Sequence, residues 1–305
     1  MSRDILISKA FKDYISMNPN SQRYARQASE FIPSGLSRGL LRHPPFPFYT
    51  ASGDGAWTTD IDNNRRLDFH GNYTAQIHGH GHPEIVAAVS DQVVHGTSYP
   101  APPVHEMPLA EHLCDRVPSV QKVVFNCSGS EAVMVAVRVA RAHTGRNRIG
   151  LFEGCYHGST DGVLVGGHDL PSPGSSRVVT TPKPVMAGLP ISATEDAVLI
   201  RYNDSEAVIE AVEKYGDQLA AILVEPIQGA AGMIPAEPEF IRTIRTETER
   251  RGIVMICDEV ISLRQAVGGT QSFMGISPDL TTMAKIIGGG FPIGAVGGKN
   301  EFMSR

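Results

Sequence analysis

An α/β fold, with a mostly parallel sheet flanked by helices, is what this chain predicts, and three observations carry the expectation. From residue 120 onward, short apolar runs alternate with amphipathic helical stretches. Those runs are apolar at nearly every position, as strands buried on both faces are. Before residue 75 the pattern differs, with two helical stretches, a Pro/Gly loop and short pieces split by turn residues. The expected division is a small N-terminal helix and meander segment over 1–75 and a larger domain over 76–305.

The totals agree with that class. The chain has 305 residues, 41% of them hydrophobic and 19% charged, enough for a large core and about two domains. A net charge of -5 invites neither nucleic acid nor an anionic membrane. The four cysteines, Cys114, Cys127, Cys155 and Cys257, are far apart and form no CxxC pair, which suits free thiols in a reducing cytoplasm. Asp4 and Asp13 without a long apolar block argue against a signal peptide, and no apolar run is long enough to span a bilayer.

In chain order, helical spacing covers 3–17, Asn18-Pro19-Asn20 interrupts it, and a second helix is expected over 21–31. Pro33 to Pro47 is a loop crossed by Arg38 and Arg42. Strand-like pieces at 49–51, 56–59 and 66–69 are separated by Gly-Asp-Gly and Asp-Asn-Asn turns. His78-Gly79-His80-Gly81-His82 places alternate histidines in a glycine turn, with neither an HExxH pattern nor a cysteine pair, so no metal is expected there. Helices follow at 83–94 and 107–116. The larger domain then reads as strand 120–126, helix 130–143, strand 148–152, strand 198–202, helix 205–215, strand 219–224, helix 238–251 and strand 253–257. Residues 166–196, rich in Gly, Pro, Ser and Thr, read as a surface excursion.

Several strand ends carry chemistry. Asn126-Cys127-Ser128-Gly129-Ser130-Glu131 opens a helix, which suits either a phosphate at its N-terminus or a plain Ser128 cap with Glu131 in the first turn. No Walker loop and no GxGxxG follows a strand, which disfavours an NTPase or a dinucleotide enzyme. Tyr156 follows another strand, where its ring is either a stacking platform or a core tyrosine. Glu225-Pro226 ends a third strand. Asp258 and Glu259 end a fourth, and Lys285 lies 27 positions beyond Asp258 with no other charge between Asp279 and Lys299. Such surroundings lower a lysine pKa. An acid at one strand end and a lysine on the next unit are what pyridoxal phosphate needs, the acid for its ring nitrogen and the amine for a Schiff base.

With these residues in view, the chain resembles the class III (omega) aminotransferases, pyridoxal-phosphate enzymes of fold type I. The matching segments are GHGHP (79–83), SGSEA (128–132), ARAHTGR (140–146), FEGCYHG (152–158), VEPIQG (224–229), CDEV (257–260) and DLTTMAKIIGGGFPIGAVGG (279–298). The resemblance implies Lys285 and Asp258 as the catalytic pair. It implies a cofactor-binding set of Ser128, Gly129, Ser130, Tyr156, His157, Glu225, Asp258, Val260 and Lys285, with Tyr156 and Val260 on opposite ring faces. Arg38 resembles a group gripping a substrate carboxylate, against the alternative of a solvated loop arginine, and Tyr73 resembles a pocket-wall residue.

Within the family, NPNSQR (18–23), PFP (45–47) and PIQGAAGMIP (226–235) resemble the β-amino-acid (β-phenylalanine) aminotransferases more than glutamate-1-semialdehyde aminomutase. The implied reaction is therefore amino-group transfer between an amino acid, with β-amino acids included, and a keto acid. An aminomutase and an inactive pyridoxal-binding fragment are the alternatives. A cytoplasmic homodimer is implied. Two departures stand out: Ile261 sits where many relatives carry glutamine, and Ala230 where the ornithine and GABA branch carries glutamate. The sequence ends at Arg305, whereas relatives continue through a threonine loop and a small C-terminal domain.

Overall fold

The computed structural model describes residues 3–165, 178–179, 182, 184 and 187–304. Contacts divide the chain into two compact units, Met1–Ser98 and Tyr99–Arg305. In the first, helices α1 (Arg3–Met17) and α2 (Pro19–Ala28) precede an antiparallel meander of β1 (Thr50–Asp54), β2 (Trp57–Asp60) and β3 (Arg65–Leu67). A single turn α3 (Gly71–Thr74) and helix α4 (Pro83–Val93) complete it. Helix α2 starts earlier than 21 because Pro19 fits the first turn, where its missing N–H is no loss. The Asp62 carboxylate accepts from the Asn20 and Ser21 N–H groups at 2.6 and 2.9 Å, capping that turn from the meander. His80 pairs with Gly55 through both backbone groups and bonds Asp68 at 2.8 Å, so the GHGHP turn belongs with this unit.

The second unit opens with α5 (Glu106–Arg116), β4 (Lys122–Asn126), α6 (Gly129–Thr144) and β5 (Arg148–Phe152). The two-residue β6 (Val178–Val179), α7 (Ile191–Glu195), β7 (Ala197–Ile200), α8 (Ser205–Tyr215) and β8 (Leu219–Val224) follow. A small ladder of β9 (Ile227–Gln228) with β10 (Ile234–Pro235) precedes α9 (Pro238–Arg251) and β11 (Val254–Asp258). Then come α10 (Gly269–Met274), β12 (Leu280–Ala284), β13 (Gly294–Gly298) and α11 (Asn300–Met303). Of the expected excursion, 166–177 and most of 180–186 lie outside the described residues.

The main sheet runs β4-β13-β12-β11-β8-β5-β7-β6. The β5, β7, β8, β11 and β12 pairings are parallel, and β13 lies antiparallel to both β12 and β4, so β4 shares their direction. The alternation of side chains builds a core on each face. Ile149, Leu151, Leu199, Leu223, Val254 and Ile256 pack with Ala132, Val133 and Ala136 of α6. Phe152, Val198, Ile200, Ile222, Val224 and Met255 pack with α8 and α9 on the other side. Each such fully buried side chain contributes roughly 1.5–3 kcal/mol.

Neither β12 nor β13 was expected as a strand. The glycines of β13, in the sequence Gly-Ala-Val-Gly-Gly, are set by neighbours. A Cβ on Gly297 would lie 2.6 Å from Val120 and 3.1 Å from Met283, and one on Gly298 would lie 2.6 Å from Leu280.

Glu259, fully buried after β11, accepts from the N–H groups of Thr270 and Gln271 at 2.7 and 3.0 Å, from Gln271 Nε2 at 2.9 Å and from Ser262 Oγ at 3.0 Å. It closes the 260–271 loop onto the sheet. Glu259→Ala leaves those donors buried and unmatched, with an expected loss on the order of 4 kcal/mol in urea unfolding. A loss below about 1 kcal/mol would show that the loop has no such anchor.

Candidate active site

Because β4, β5, β8, β11 and β12 run the same way, their carboxyl ends share one edge, where open α/β sheets bind ligands. The predicted residues of this unit all lie at or beyond those ends. Ser128 to Ser130 follow β4, Tyr156 and His157 follow β5, Glu225 follows β8, Asp258 ends β11 with Val260 just beyond it, and Lys285 follows β12.

Of the two alternatives for the β4–α6 turn, the cap is present. Ser128 does cap the helix, its hydroxyl accepting from Glu131 N–H at 3.2 Å, while the Glu131 carboxylate takes the Cys127 N–H at 2.8 Å. Ala132 N–H goes to the Ser128 carbonyl. That leaves the Gly129 and Ser130 N–H groups unpaired among the described residues, at the positive end of a 16-residue helix, the geometry of an anion site. Glycine is needed around this cup. A Cβ on Gly129 would meet Val260 at 3.1 Å, and one on Gly294 would lie 2.0 Å from the Ser128 carbonyl oxygen. Val260 therefore packs directly beside the cup.

Asp258 is buried, and its two oxygens are held apart. One accepts from Thr282 Oγ1 at 3.0 Å and from Val260 N–H at 3.1 Å. The other lies 2.8 Å from Nδ1 of the buried His157. Burial alone would push this imidazole pKa down, but the hydrogen bond to Asp258 and its charge, with Cys155 nearby, outweigh it and raise it to about 10. That rise favours the charged imidazole beside the Asp258 carboxylate, and Asp258 keeps lone-pair capacity for one further donor.

Glu225 steers the neighbouring turn. Its carboxylate accepts from the Tyr156 N–H at 2.9 Å and the Gly229 N–H at 3.4 Å. Burial pushes that carboxyl up, Asp258 adds to the rise, and His157 opposes it. Tyr156 is 50% exposed, so it is not a core residue.

Lys285 begins a single 3₁₀ turn with φ of 50°, a left-handed conformation that a side chain rarely adopts. β11 and β12 pair in register with Asp258 opposite Thr282, so Lys285 stands three residues past the partner of Asp258. Gly289 and Gly290, at φ of 57° and 100°, bend the chain straight back toward β13. Burial lowers the Lys285 pKa, with Asp258 and Glu225 opposing that shift. Among the described residues its amine has no ion pair or hydrogen bond.

Arg38 and Tyr73 belong to the first unit. Arg38 is exposed, and its guanidinium donates to Asn72 Oδ1 at 2.5 Å. Tyr73 has φ of 54° and rests its ring against His70, with centroids 3.9 Å apart. Sequence reading missed Thr282 and Gln228. Thr282 touches Asp258 only through strand register, and no local signal marks it. Among the described residues no group of His, Cys, Asp and Glu is arranged to hold a metal ion, and no helix is long and apolar enough to cross a membrane.

Comparison with known proteins gives a consistent picture. The family model Aminotransferase class-III matches residues 41–305. Glutamate-1-semialdehyde 2,1-aminomutase 2 of Brevibacillus brevis is 41% identical over 283 residues, 92% of this chain and 64% of that protein. An omega-transaminase structure from Sphaerobacter thermophilus superposes with a TM-score of 0.86 at 44% identity, over 93% of this chain and 65% of the other. A β-phenylalanine aminotransferase from Variovorax paradoxus gives 0.88 at 34% identity, over 99% and 66%. The chain thus spans just under two thirds of the length of these relatives.

The pH dependence follows from His157. Its folded pKa, about 10, lies above an unfolded value of about 6.5. The stabilisation is therefore complete below pH ~6.5 and fades as pH rises through ~10. In urea melts, the stability gap between the wild type and His157→Phe should shrink from pH 6 to pH 10. A gap that is constant or widens with pH would contradict a charged His157.

Proposed function

We propose, on the premise that this chain belongs to the class III aminotransferase family, that its sheet edge carries out amino-group transfer on a small molecule with pyridoxal phosphate. The family is one of pyridoxal-phosphate-dependent enzymes, and the residues at the edge fit that cofactor. The observation that carries the reading is the pairing of β11 with β12, which ends one strand in a buried carboxylate, Asp258, and continues the other into the half-buried Lys285.

In this reading, Gly129 and Ser130 hold the phosphate through their N–H groups, with Ser128 keeping the helix end in shape. Asp258, held by His157 and Thr282, accepts from the ring nitrogen. Tyr156 and Val260 cover the ring faces, while Glu225 fixes the Tyr156 backbone. Lys285 would hold the cofactor covalently until the substrate's amine displaces it, and its lowered pKa would then leave more free amine to take a proton from the substrate's reacting carbon and return it. When bound, pyridoxal phosphate supplies an electron sink for negative charge developing at that carbon.

Two destinations for the amine are supported. The curated relative at 41% identity favours an aminomutase, in which the amine stays within one molecule. The second reading is transfer from an amino donor, β-amino acids included, to a keto acid. It draws on the 44% identical omega-transaminase and the β-phenylalanine enzyme. In that reading Arg38 grips a substrate carboxylate as a two-point fork and Tyr73 lines the pocket. A cytoplasmic homodimer accompanies either reading, and light scattering tests the dimer, a monomer mass contradicting it.

Borohydride reduction of the protein with pyridoxal phosphate should label Lys285 alone, and Lys285→Ala should take no label; a label elsewhere would overturn the assignment. Incubation with glutamate 1-semialdehyde, without a keto acid, should give the isomer with its amine on carbon 1 under the first reading. Dependence of product on added 2-oxoglutarate or pyruvate with β-phenylalanine would establish the second.

A further inference from the structure

The segment that follows β8 does more than end a strand. Glu225 holds the Tyr156 N–H, and three residues later the Gln228 side chain reaches the same turn from beside it. Gln228 is buried at 2% exposure, and its Nε2 donates to the Glu153 carbonyl at 2.6 Å and lies 3.3 Å from Cys155 Sγ. Its backbone is fixed in turn by the β9–β10 ladder, Gln228 opposite Ile234. The facing position is a glycine with φ of 80°. A Cβ on Gly154 would stand 3.2 Å from Gln228 Nε2 and 3.1 Å from Ala231. The turn therefore closes on the amide only because position 154 has no side chain. Glu225 thus grips position 156 and Gln228 positions 153 and 155, and position 157 is the imidazole that holds Asp258.

We propose that Gln228 is a positioning residue for this edge: its side-chain amide fixes the 153–157 turn and, through it, the Tyr156 ring and the His157 imidazole. The proposal rests on reading the edge as a pyridoxal-phosphate site. It makes Gln228 act through the turn, on how well a ring is stacked and how firmly Asp258 is oriented, without touching substrate. The Glu153 carbonyl needs a donor of this length, which leucine lacks and a glutamic acid supplies only while protonated.

Two variants of near-equal shape test it, Gln228→Leu and Gln228→Glu. Hydrogen–deuterium exchange on the protein without cofactor reads the turn directly, and absorbance titration reads pyridoxal phosphate affinity. Gln228→Leu should speed exchange in a peptide over 153–158 about tenfold, leave the α8 peptide 205–215 unchanged, and weaken the cofactor about tenfold. Gln228→Glu should match the wild type near pH ~5 and the leucine variant near pH ~8, since only the neutral carboxyl donates. Exchange over 153–158 within about twofold of the wild type in both variants would overturn the proposal. So would a Gln228→Glu protein whose exchange ratio to the wild type is the same at both pH values. If the wild type itself takes up no pyridoxal phosphate, the site reading fails, while the exchange measurement still decides what Gln228 does.

Discussion

The parallel pairing of β11 with β12 is the constraint on which the rest of this molecule depends. Its register sets Asp258 opposite Thr282 and carries the chain on to Lys285 three residues later. Neither group is positioned by its own loop alone. Each is delivered by a strand whose neighbours are buried on both faces. A slip of one residue in that register would turn Thr282 away from Asp258 and its neighbours with it.

Charge is managed around this pairing in a consistent way. Two carboxylates, Asp258 and Glu225, lie buried near one another, an arrangement that would be costly without partners. The cationic imidazole of His157, backbone N–H groups from Tyr156, Gly229 and Val260, and the Thr282 hydroxyl supply those partners. The lysine is left outside that network with its charge disfavoured by burial. Carboxylate and amine are thereby kept from pairing with each other.

Much of this was legible in the sequence, for physical reasons that differ by residue. The strands at 148–152 and 219–224 are apolar at nearly every position because both faces are covered, and that signal is local. Asp258 and Lys285 stood out through their apolar surroundings. The Ser128 turn offered a cap or a phosphate cup; the structure shows the cap, which uses the Glu131 N–H and spares those of Gly129 and Ser130. β13 was not legible, because its glycines answer to Val120, Met283 and Leu280, residues distant in the chain. Thr282 and Gln228 were missed for the same reason: what they hold is set by strand register and by a turn opposite, not by spacing.

The central claim is that Asp258 and Lys285 address opposite ends of one ring. Nitrogen NMR of the protein loaded with pyridoxal phosphate labelled at its ring nitrogen tests it most directly. The account predicts a protonated ring nitrogen in the wild type at neutral pH and an unprotonated one in Asp258→Ala. The same nitrogen signal in both proteins would mean that this carboxylate does not face the ring, and the account would fall.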